Sequence, residues 1–162
     1  MSMNRFVVLF SVFVCMAAGC SAERDSSLRV QAWARATPPG SAVGGAYLTI
    51  RNPGSADRLL KVLTAASERT EIHRTSMADG QMQMREVGAL DIPANSEVKL
   101  ESGGMHLMLV GLKKPLREGE SVPLTLQFAQ AGTLQVQARV QSIGATSADE
   151  ASRWIWNATR PP

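Results

Sequence analysis

Two imidazoles and a cluster of thioethers set the chemistry open to this chain. Both histidines of the 162-residue sequence, and every methionine beyond residue 16, fall between His73 and Met108. The order is His73, Met77, Met82, Met84, Met105, His106 and Met108, and no cysteine occurs in that stretch. Thioether sulfur is neutral, polarizable and soft, so it favours Cu(I) or Ag(I) over Zn(II), Mg(II) or Ca(II), which prefer imidazole, thiolate or oxygen donors. Imidazole adds affinity that methionine alone lacks. A neutral donor set holds its ion less tightly than a thiolate pair would, and it cannot be lost to disulfide formation. Both properties suit a protein that must hand its metal on.

A single buried methionine is ordinarily core filler, and a single histidine on a strand is ordinarily structural or superficial. The joint pattern is what points to a metal, because the elements around these residues bring a His and a Met together twice. Asp79-Gly80 between two extended runs is a hairpin signal, since a type I′ turn needs positive φ at both central residues. Counting outward from that loop, Met77 faces Met82, Thr75 faces Met84 and His73 faces Glu86, with all six on one face. His73 and Met84 then become diagonal neighbours, roughly 7–8 Å apart. His106 and Met108 sit two apart in another extended run and point the same way, which turns Met105, Leu107 and Leu109 toward the core. Met77 and Met82 lie nearer the hairpin tip, where they form either a soft rim for the ion or a cover for apolar surface. Gly103-Gly104, just before His106, is expected to let the backbone approach a neighbouring loop.

The rest of the chain reads as the scaffold for these strands. Leu28, Val30, Ala32, Ala34 and Ala36 alternate with Arg29, Gln31, Trp33 and Arg35, the period of a strand with one buried face. On that pattern Trp33 either packs in the core or stacks beneath an arginine. Further strands are expected over residues 44–52, 58–65, 70–77, 82–87, 97–101, 106–112, 122–128 and 133–142. Turn formers separate them, among them Asn52-Pro53-Gly54, Ile92-Pro93-Ala94-Asn95, Glu118-Gly119-Glu120 and Ala131-Gly132. Nine short strands without an amphipathic helix predict an all-β, antiparallel sandwich or barrel.

The chain ends set compartment and class. Arg5, the mostly apolar residues 6–18 and Ala17-Ala18-Gly19-Cys20 make residues 1–19 a secretory signal, too short for a membrane span. Small residues before a cysteine predict a lipoprotein signal with Cys20 acylated. Cleavage after Ala22, releasing a soluble protein, is the competing outcome. Residues 20–27 are a polar tether, residues 28–142 the folded body and residues 143–162 a tail outside the core. In that tail Trp154 and Trp156 either dock on the sandwich or contact a membrane or partner. The exported body holds no cysteine pair, so its stability must come from packing. The 17 Lys and Arg are interspersed with 14 Asp and Glu, and no basic cluster suggests nucleic acid.

The spacing matches a known pattern. Ten residues separate His73 from Met84, twenty-one separate Met84 from His106, and Met108 completes a His-x-Met. In this the chain resembles the periplasmic copper chaperones called PCuAC. The flanking stretches Ala32-Trp33-Ala34-Arg35-Ala36-Thr37-Pro38, Gly45-Ala46-Tyr47-Leu48 and His106-Leu107-Met108-Leu109-Val110-Gly111-Leu112-Lys113 are similar as well. The resemblance covers nearly the whole folded body. It implies a cupredoxin-like β-sandwich of Greek-key type, Cu(I) bound by His73, Met84, His106 and Met108, and a periplasmic or envelope location. It further implies delivery of copper to the binuclear site of cytochrome c oxidase, carried by subunit II, alongside Sco-type thioredoxin-like proteins. Some members carry a His- and Met-rich C-terminal extension that binds Cu(II). Residues 143–162 hold neither residue, which predicts one copper site and none in the tail.

The expectation is thus a non-enzymatic Cu(I) chaperone, with a copper-sequestering envelope lipoprotein that has no oxidase client as the rival. A copper enzyme is disfavoured because a four-donor thioether set leaves no open position, and no acid/base pair or Ser/His/Asp set accompanies it.

Overall fold

The computed structural model describes residues 27–78 and 80–148, so the expectations for the signal, Cys20 and the Trp154 and Trp156 tail lie outside the described residues. Every regular element within them is a strand. In chain order these are β1 (Arg29–Arg35), β2 (Val43–Asn52), β3 (Asp57–Leu63), β4 (Ser67–Ala78), β5 (Gln81–Glu86), β6 (Leu90–Ile92), β7 (Ser96–Leu100), β8 (Met105–Leu112), β9 (Ser121–Phe128) and β10 (Thr133–Gln141). Their hydrogen-bonded order is β5-β4-β8-β2-β1-β10-β9-β3-β6. The long strand β2 divides one edge, pairing residues 43–46 with β8 and residues 48–52 with β7. The sheet thereby folds over a single core, in agreement with the all-β expectation.

Alternation along the strands builds that core. Leu107 and Leu109 of β8, Leu48 and Ile50 of β2, and Leu124 and Leu126 of β9 are essentially inaccessible to solvent. Each such side chain contributes roughly 1.5–3 kcal/mol relative to an exposed one. Because successive strand residues point to opposite faces, burying Leu107 and Leu109 forces His106 and Met108 outward. The core thus sets the direction of the donors.

Three features differ from the sequence-based expectation. Ile92 ends a tenth strand, β6, which pairs with β3 and buries Leu90 and Ile92; three residues are too few to show a period. Among the described strand pairs, β1 and β10 run parallel, a pairing that needs a long crossover, here supplied by all the strands between them. Finally, β1 is buried on both faces at its centre: Trp33 is 6% exposed, stacked on Tyr47 with ring centroids 4.1 Å apart. The guanidinium of Arg35 lies over Tyr47, 5.4 Å from the ring centroid, rather than over Trp33. Arg35 Nε in turn donates to the Ala145 carbonyl at 3.0 Å, so the chain after β10 is drawn across this face.

Candidate metal centre

The β4–β5 hairpin has the register that its turn predicts. Ala78 pairs with Gln81, Met77 with Met82, Thr75 with Met84 and His73 with Glu86. Gly80 has φ of +75°, the left-handed conformation that the turn requires and glycine supplies without strain. On its other edge β4 pairs with β8, placing His73 opposite His106 and Glu71 opposite Met108. A row of Glu86, His73 and His106 therefore crosses three strands on the outward face. Met84 and Met108 take diagonals of His73 on opposite sides of this row. All four residues singled out for Cu(I) share one face within one or two residue spacings.

The two imidazoles differ in how they are held. Their ring centroids are 6.1 Å apart and nearly perpendicular, a separation that one ion with metal–nitrogen bonds of about 2 Å can span. His106 Nδ1 lies 3.3 Å from the Gly104 carbonyl, which also accepts the Thr75 amide at 3.1 Å. Donation from Nδ1 leaves the His106 Nε2 lone pair for a metal, the arrangement by which ligating histidines are usually oriented. Gly104 thus serves through its carbonyl. The close approach expected of it is absent, because a side chain there would make only ordinary contacts with Glu101.

The His73 side chain is only 14% exposed, and its Nε2 lies 3.1 Å from Glu71 Oε2. Glu71 is also gripped by Arg69 Nε at 2.5 Å, and that hydrogen bond holds its carboxyl below the ordinary range. With the His73 Nε2 proton shared to Glu71, Nδ1 is a buried nitrogen with no hydrogen-bond partner. A buried polar atom without a partner is costly, and donation of the Nδ1 lone pair to a soft metal ion would satisfy it. The donor chemistry therefore fits a Cu(I) ion as cargo.

The methionines separate by environment. Met105 packs against the core and receives a contact from Arg74 Nη2 at 3.6 Å. Met108 is half-buried, whereas Met84 is 49% exposed and Met77 and Met82, nearer the tip, are 67% and 70% exposed. Beside Met108, the Tyr47 hydroxyl folds back over Gly45, the cross-strand partner of Met108, where a Cβ would come within 3.1 Å of it. The Tyr47–Trp33 stack walls that side.

Glu71 belongs to this face and the sequence-based reading did not select it. Alternation from His73 would have placed it there, but an argument built on soft donors passes over carboxylates. Glu86 was placed on the face by the hairpin register and not considered as a donor for the same reason.

Residues 29–140 match the model of a family described as putative lipoprotein LpqE-like. A putative lipoprotein of Leifsonia xyli subsp. xyli is 34% identical over 113 residues, 68% of this chain and 67% of that protein. Among solved structures, the copper-bound PCuAC domain from PmoF2 is 26% identical, with a TM-score of 0.61 over 71% of this chain and 92% of that one. The solution structure of CuI-DR1885 from Deinococcus radiodurans is 32% identical, with a TM-score of 0.55 over 69% of this chain and 76% of that one. The fold is that of these copper-binding domains, a cupredoxin-like β-sandwich.

Proposed function

Because this chain belongs to the LpqE-like family, we propose that it is an envelope lipoprotein of the PCuAC type that carries Cu(I) on His73, Met84, His106 and Met108. One observation carries the reading. The β4–β5 and β4–β8 registers set two imidazoles side by side and one thioether on each diagonal, on a single outward face. Four neutral donors of this kind stabilise Cu(I). They occupy the positions an enzyme would leave open for oxygen or substrate, so the protein binds and hands on rather than catalyses.

Cys20 is the proposed point of lipid attachment, which would keep the domain at a membrane surface of the periplasm or cell envelope, within reach of a client. We propose as that client the copper site of cytochrome c oxidase subunit II, reached with the help of Sco-type proteins. The support for this step is the resemblance of the ligand spacing to copper chaperones. Sequestration of copper in the envelope, without an oxidase client, uses the same site.

A competition titration with a Cu(I) chelator tests the site: one equivalent per chain is expected, and none when all four donors are replaced by alanine. Undiminished binding in that variant sinks the assignment. Delivery is read separately, as oxidase activity in a deletion strain grown at low copper. Unchanged activity there leaves sequestration as the function. Loss of membrane association in Cys20→Ala tests the anchor.

A further inference from the structure

His73 belongs to a second donor set of different chemistry. One ligand atom from each of Glu71, His73 and Glu86 lies within 4.8 Å of the other two. Glu71 reaches His73 along β4, two residues away on the same face, and Glu86 faces His73 across the hairpin. Two carboxylates and an imidazole make an anionic, oxygen-rich set. It neutralises a dication, as four neutral donors do not, and it suits borderline ions over soft monovalent ones.

We propose that Glu71, His73 and Glu86 bind a divalent transition ion, Zn(II) or Cu(II), at a site overlapping the Cu(I) site through the His73 ring. The two nitrogens of that ring have different surroundings. Nε2 lies at the Glu71 carboxylate, 3.1 Å from Oε2. Nδ1 is buried and unpartnered, and moving the proton there gives up the hydrogen bond to Glu71, a loss that a cation seated between Nε2 and the carboxylates would offset. With the proton on Nδ1, Nε2 offers its lone pair between the carboxylates. With the proton on Nε2, Glu71 accepts it and Nδ1 is the free donor. The tautomer of one ring selects between the two sets, and the face holds one ion at a time. Arg69 fits this arrangement, since it orients Glu71 from the far oxygen, Oε1, and leaves Oε2 toward His73. The mutual exclusion rests on the Cu(I) reading of the face; the divalent site stands without it.

The test titrates Zn(II), which has no redox chemistry of its own, into the full-length protein by calorimetry, with Ag(I) as the soft monovalent probe. The parent is expected to bind a single equivalent of Zn(II), released when Ag(I) is added. Glu86→Gln, a near-isosteric change on an exposed edge strand, is expected to weaken Zn(II) by about tenfold or more and to leave Ag(I) unchanged. Met84→Ala with Met108→Ala is expected to do the reverse, and His73→Ala to weaken both. Absence of Zn(II) binding in the parent, or full Zn(II) affinity in both Glu86→Gln and Glu71→Gln, overturns the divalent site. Loss of Zn(II) in the methionine variant overturns the separation of the two sets. If Ag(I) alone fails to bind while Zn(II) binds as described, the carrier reading is lost and this one stands.

Discussion

The face carries its donors on two unequal supports. His106 and Met108 stand on β8, which is paired along both edges, by β4 and β2, and whose intervening residues Leu107 and Leu109 are locked in the core. Met84 stands on β5, an edge strand paired only with β4 and exposed along nearly its whole length. His73 sits between them on β4. Groups on a doubly paired, core-backed strand are pre-organised and lose little freedom when an ion binds. A hairpin at the sheet edge, with few buried contacts, opens at low cost. On the proposed Cu(I) reading, the difference implies a division of labour: the β8 pair would set how tightly an ion is held, and the hairpin how readily it comes and goes.

The largest expected effect falls on the β8 side. His106→Ala with Met108→Ala should lower Cu(I) affinity by about 100-fold or more, measured by competition with a Cu(I) chelator. An equal loss from removing Met84 alone would show that the edge strand, and not the core-backed one, anchors the ion.

Stability should divide in the same way. Leu107→Ala removes a fully buried side chain directly behind the two donors and should cost about 2–5 kcal/mol, read as a shift in the urea midpoint. Met82→Ala removes an exposed side chain and should stay within about 0.5 kcal/mol. Comparable costs at the two positions would erase the distinction between the supports.

Much of this was legible from residue order, for a physical reason that varies by element. The hairpin register followed from a two-residue turn, because such a loop leaves one arithmetic possibility for every pair beyond it. The outward direction of His106 and Met108 followed from the alternation of β8 around Leu107 and Leu109. The strand β6 did not, since Leu90 and Ile92 bracket a single residue and read equally well as the edge of a turn. Sequence left the burial of Trp33 as one of two alternatives. What decides it is the stack on Tyr47 of the next strand, a contact that no local period records. Glu71 was hidden by chemistry instead. Its position on the face follows from His73 by alternation, but its closeness to the imidazole and its grip by Arg69 appear only once side chains are placed.

Met84→Ala tests the hairpin's share more finely. Affinity should fall by about tenfold, less than for the β8 pair, with most of the change in the rate at which Cu(I) leaves. Stopped-flow transfer to a chelator separates that rate from capture. Equal slowing of capture and release, with affinity unchanged, would mean that Met84 meets the ion early and then lets go, which would assign the retained ion to His73 and the β8 pair.

The smallest effect belongs to Met77 and Met82, which face each other across the hairpin two pairs beyond Thr75 and Met84. On a strand the same face recurs every second residue, so their backbone positions lie about 7 Å further from the row of imidazoles than that of Met84. That is too far for ligands of the same ion. Their exposure, the highest of any large apolar side chains among the described residues, gives them no share in the core either. Met77→Ala with Met82→Ala should therefore leave both the equilibrium Cu(I) affinity and the unfolding midpoint unchanged. If the pair is a rim that meets the ion first, transfer from a donor chelator slows several-fold in this variant. If the pair only covers apolar surface, the transfer rate stays that of the parent. A drop in equilibrium affinity would mean that the hairpin folds down over the ion far enough to bring its tip to the imidazoles, and the exchanging arm of the site would then be a closing one.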